Sequence, residues 1–94
     1  MLRSRKLNVA VLSGAGVVVA DPGDGKQIVV VDILASAATL FRQTGGSGTI
    51  MAYIPAGSSN LSSGIPIGDS VALYSSAGDV TVTYYIEDQN AISP

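Results

Sequence analysis

Seven carboxylates, five cations and a set of hydroxyls are the main side chains with which this 94-residue sequence could bind an ion or attack a substrate, because it has no His, no Cys and no Trp. Without imidazole or thiolate there is no ordinary zinc or copper site, no imidazole base, no thiol nucleophile and no disulfide. Asp21-Pro22-Gly23-Asp24-Gly25 has the acid and glycine content of a calcium loop. It lacks the D-x-[DN]-x-[DN]-G spacing and the bidentate Glu at the twelfth position, so it reads as a turn. Thr44-Gly45-Gly46-Ser47-Gly48 offers backbone amides to an anion, yet no P-loop Lys and no helix follow it. It reads as a hairpin tip.

A serine nucleophile would need Lys6 or Lys26 as its base, and neither stands in a recognisable context. The acids cluster in turns or near the C-terminal end, which gives no support for the paired carboxylates of glycoside hydrolysis. The sequon Asn60-Leu61-Ser62 matters only on a secretory route. The expectation is a non-enzymatic protein with no catalytic residues, no cofactor and no metal.

One acid is out of place. Asp32 sits inside Lys26–Ala35 (KQIVVVDILA), the most apolar stretch of the chain. A buried carboxylate is costly unless paired, so Asp32 is expected to meet Arg42 or an N-terminal Arg of a neighbouring subunit, or else to escape to solvent where its strand bends.

The elements that position these residues read as short strands separated by Gly, Pro and Ser, with no convincing helix. Strands are expected at 7–12, 17–20, 26–35, 38–43, 49–54, 70–74 and 80–87. Ile65-Pro66-Ile67 is expected as an edge or irregular strand, since Pro cannot donate to a ladder, and 55–64 as a polar connection. In 26–35 one face would carry Ile28, Val30, Asp32 and Leu34, and the other Val29, Val31, Ile33 and Ala35. The last strand alternates most clearly, Val80, Val82, Tyr84 and Ile86 against Thr81, Thr83, Tyr85 and Glu87. Seven or eight short strands at regular spacing point to an all-β antiparallel β-sandwich or barrel. The expected organisation is a basic arm at 1–6, one domain at 7–87 and a tail at 88–94.

Charge is scarce. Charged residues make up 13% of the sequence against 47% hydrophobic, where globular domains average roughly 25% charged. Residues 7–86 hold two cations, Lys26 and Arg42, against Asp21, Asp24, Asp32, Asp69 and Asp79. That is too little charge to cover a free monomer, so part of the surface is expected to be buried against copies of the chain or a lattice. The expected interface is Val29, Val31 and Ile33 with Asp32 and Arg42. Arg3, Arg5 and Lys6 are expected to clasp an acidic neighbour; three charges release few counterions, and nucleic acid is not an expected partner. Residues 1–20 begin like a leader peptide, but Asn8 and Ser13–Gly16 interrupt the apolar part, which is also shorter than the roughly 20 residues that span a membrane. They are expected to be strands, with no membrane partner.

The order of features then matches a pattern. A turn into Ile28–Ala35, then Ala38-Thr39-Leu40-Phe41-Arg42-Gln43, Pro55-Ala56-Gly57, Gly68-Asp69-Ser70-Val71-Ala72-Leu73-Tyr74 and Val80-Thr81-Val82-Thr83-Tyr84-Tyr85 resembles small bacteriophage virion β-sandwich modules, found as capsid decoration (cement) proteins and as head- or tail-fibre domains. The resemblance implies a jelly-roll-like fold, a homotrimer and a static role on the capsid surface across junctions of the major capsid protein, in a protein made in the host cytoplasm. A rival from another class is a fibre-tip or lectin-like carbohydrate-binding module, whose site would be drawn from Tyr53, Tyr74, Tyr84, Tyr85 and Asn60. A bacterial surface or pilus-like subunit is a third reading, and it would require export.

Overall fold

The computed structural model describes residues 6–88, with the side chains of residues 62 and 63 left aside; Arg3 and Arg5 and the expected tail beyond Asp88 lie outside the described residues. Among the described residues there is no helix. Eight strands run in order as β1 (Asn8–Ser13), β2 (Gly16–Val19), β3 (Lys26–Ala35), β4 (Thr39–Gln43), β5 (Ile50–Ile54), β6 (Gly57–Asp69), β7 (Leu73–Ser75) and β8 (Asp79–Asp88). They form two four-stranded sheets, β1-β8-β3-β6 and β2-β7-β4-β5, in which every recorded pairing is antiparallel. The protein is all-β and sandwich-like, with extents of 43 × 26 × 17 Å; the shortest leaves room for two sheets roughly 10 Å apart and no third layer.

The core lies between the sheets. From the first sheet Ile28, Val30, Ile33, Ala35, Ile67, Val80 and Val82 point inward, and from the second Val19, Phe41, Ile54 and Leu73. Phe41 is the one aromatic side chain with no exposed surface. The buried polar residues Thr39 and Ser75 satisfy each other, hydroxyl to hydroxyl at 2.9 Å, and the Thr39 Oγ1 also accepts the Ala77 amide at 3.0 Å. Gln43 Nε2 donates to the Ile67 carbonyl at 2.7 Å and so ties β4 of one sheet to β6 of the other.

Two expectations are corrected here. The polar connection expected at 55–64 is strand from Gly57 onward, because β3 offers a partner ladder that Ser58, Ser59 and Asn60 complete. The expected faces of β3 also change. Between Val30 and Asp32 its register against β8 shifts by one, with Val31 as the extra residue, a bulge that reverses parity downstream. Ile28 and Val30 point inward before the bulge, and Ile33 and Ala35 after it. Asp32 and Leu34 are thereby turned out to solvent.

The turns follow their sequences. Asp21 Oδ1 accepts the Gly23 amide at 2.8 Å and the Lys26 amide donates to the Gly23 carbonyl at 3.2 Å, so the acid serves its own backbone turn. The loop at 44–48 depends on Gly48, where a Cβ would collide with the Gln43 carbonyl; it is further tied by Arg42 Nη1 donating to the Gly48 carbonyl at 2.8 Å.

Candidate functional site

The outward faces of the two sheets carry most of the residues that sequence reasoning singled out, and the registers place them in rows. Across the first sheet one row reads Val11, Thr81, Leu34 and Ser58, and the next Val9, Thr83, Asp32 and Asn60. A third holds Tyr85, Val29 and Pro66. The exposed side is the β1 side, where Val9 is 65% and Val11 73% exposed, with Leu34 at 57% and Leu7, just before β1, at 58%. A shallow depression of about 320 Å³ runs between Val11, Leu34 and Thr81, floored by Ala35 and Val80.

The opposite side of the same face is closed. β6 loops out between Ile65 and Asn60, four residues against the single Val31 of β3, and Gly64 turns there with φ +76°. A Cβ on Gly64 would stand 2.7 Å from Val29 Cγ1 and 3.8 Å from Val31 Cγ1, so this excursion lies over Val29 and leaves it 4% exposed.

The expected interface set is therefore dispersed. Ile33 is in the core, Val29 is covered by the chain's own β6 and Val31 is half-buried. Asp32 does not meet Arg42: the two belong to different sheets. Asp32 is exposed and accepts a hydrogen bond from Asn60 Nδ2 at 2.7 Å, the solvent exit that a bend in the strand allows. Arg42 lies on the outward face of the second sheet in a row with Val17, Tyr74 and Ile50. Lys6 is exposed.

The tyrosines and Asn60 are also parted. Tyr53 and Tyr74 belong to β5 and β7 of the second sheet, Tyr84 and Tyr85 to β8 of the first, and Asn60 to β6, on the same outward face as Tyr85 but with β3 between them. Tyr84 packs against the core. Tyr53, 77% exposed, borders an apolar depression of about 430 Å³ with Leu40, Ile54, Pro55 and Ser76. No group of three acids capable of holding a metal occurs among the described residues.

The feature that sequence reasoning missed is the orientation of β1. Both of its valines, Val9 and Val11, point to solvent, and Asn8, Ala10 and Leu12 point toward the interior. A half-buried strand ordinarily turns its more apolar side inward. The alternation of β1 was visible in the sequence, but its direction was not. Compared with protein-family models, with curated proteins and with solved structures, the chain matches none.

Proposed function

We propose that this chain is a non-enzymatic structural protein of a bacteriophage virion, which associates with copies of itself and binds the capsid surface across junctions of the major capsid protein. The observation that carries the reading is the open aliphatic surface of the first sheet, Leu7, Val9, Val11 and Leu34, in a protein with few charges elsewhere to compensate. Surfaces of that kind mark association sites in soluble proteins. Strand order β1-β8-β3-β6 over β2-β7-β4-β5 supports a jelly roll, the architecture of viral capsid and lectin domains among others. Fold alone does not assign a role; the exposed face supplies the reason to choose assembly.

The mechanism is linkage. A protein that binds the assembled shell and not its separated subunits stabilises the shell by mass action. The test adds purified chain to shells that lack it and follows their thermal disassembly. A rise in the disassembly temperature that saturates with added chain is the expected result; no rise, with no chain sedimenting with the shells, overturns the capsid role.

Carbohydrate binding remains a second reading because Tyr53 stands beside the larger depression, and aromatic platforms suit sugar rings. It draws on Tyr53 with Leu40 and Ser76, no longer on Tyr85 and Asn60. Glycan-array binding that disappears in Tyr53→Ala would establish it in place of the capsid role.

A further inference from the structure

We infer that β1 is a docking edge for a second copy of this chain, and that two chains pair β1 to β1 antiparallel about a two-fold axis through Ala10. The inference rests on the self-association proposed above and specifies its surface and symmetry. Four strands end the two sheets: β1, β6, β2 and β5. Natural sheets protect such edges with bulges, Pro or charge. β6 has Pro66 and two register shifts against β3, and the pairings of β2 and of β5 each contain a shift. β1 has none of these, since NVAVLS carries neither charge nor Pro and its register against β8 runs unbroken from Asn8↔Tyr84 to Ser13↔Asp79. Among the described residues no strand pairs with its outer side.

The hydrogen-bond pattern fixes which groups are on offer. The Gly14 amide donates to the Gly78 carbonyl at 2.9 Å, in step with the ladder above it. Because bonded and non-bonded pairs alternate in an antiparallel ladder, Asn8, Ala10 and Leu12 exchange bonds with β8. Val9 and Val11 then direct their amides and carbonyls to the open edge. Antiparallel pairing of two such edges requires these residues to face one another. With the axis at Ala10, Val9 of each copy stands opposite Val11 of the other. The two sheets fuse into one of eight strands, and the exposed valines make a continuous apolar band across the seam, flanked by Leu34 of both copies.

Charge agrees with this register. It brings Lys6 of one copy alongside Gly14 of the other, whose amide is bonded to the exposed carboxylate of Asp79 at 3.2 Å. Opposite rather than like charges thus come near at both ends of the ladder, by symmetry, so charge does not oppose the pairing. A closed isologous contact also removes the bare edge entirely. A two-fold pairing replaces the trimer that the virion resemblance implies.

The experiment combines sedimentation equilibrium with backbone amide exchange on the full chain. The expected result is a dimer whose Val9 and Val11 amides exchange slowly and speed up on dilution, together with loss of the dimer in Val11→Lys and in Val9→Lys. Both positions are largely exposed, so each variant should unfold like the dissociated wild-type chain. Ser58→Lys, on the β6 edge, should leave the dimer intact. An oligomer with fast Val9 and Val11 amides, or one that persists in both lysine variants, would overturn the β1 seam while leaving self-association standing. A trimer would overturn the two-fold. A monomer at every concentration would remove both the seam and the self-association on which it rests.

Discussion

The two edges of the first sheet are built in opposite ways. At β6 the chain defends itself: Pro66 withholds a donor, the register slips twice, and the segment around Gly64 folds over Val29. At β1 the ladder is regular and uncharged, and both valines face outward. An edge that is costly to leave bare is protected where it meets solvent and left open where it meets a partner. The contrast lies within one sheet of one chain, so general composition does not explain it.

Substitutions can break or sharpen this contrast. The largest effect belongs to the core under both edges: Phe41→Ala should cost about 3–5 kcal/mol in denaturant unfolding, and it should weaken any assembly only by depopulating the fold. Next is the protected edge. Gly64→Ala puts a Cβ against Val29 Cγ1 at a residue with φ +76°, and a loss of roughly 1–3 kcal/mol is expected, with the native mass unchanged. A Gly64→Ala protein as stable as wild type would mean that the excursion does not hold Val29 covered.

The open edge should behave in the reverse manner. Val11→Lys should change the unfolding free energy of the dissociated chain by no more than about 0.5 kcal/mol, the usual range for exposed positions, while abolishing association. A large loss of chain stability would instead assign Val11 a role within the subunit. The smallest effect is expected at Asn60→Ala, which removes the exposed bond to Asp32; a change below about 1 kcal/mol in thermal unfolding is predicted. A greater loss would revive the idea that Asp32 needs a partner.

Much of the fold was legible because period-two alternation and turn chemistry are local. β3 falls at 26–35 as expected, and β8 differs by one residue at each end. The long β6 was not legible, since Ser58, Ser59 and Asn60 have no strand signal of their own and become strand by pairing with β3. The bulge at Val31 was hidden for another reason. It lies in a run of three valines, where a change of parity leaves no mark in the residue types, and every side assigned beyond it was reversed. The expected interface residues lose their open face at this point: the exposed aliphatic residues of the first sheet's outward face are Val9, Val11 and Leu34, whereas Val29 and Ile33 are buried and Val31 is half-buried. The tyrosine set failed because strands close in sequence, such as β7 and β8, enter different sheets.

The most direct test of the central claim is the native mass of the full chain between low and high micromolar concentration, measured by sedimentation equilibrium. Association to twice the 9.5 kDa of a single chain, reversed by dilution and absent in Val11→Lys, is the predicted result. A mass that stays at one chain throughout, with Val9 and Val11 left in water, would contradict it.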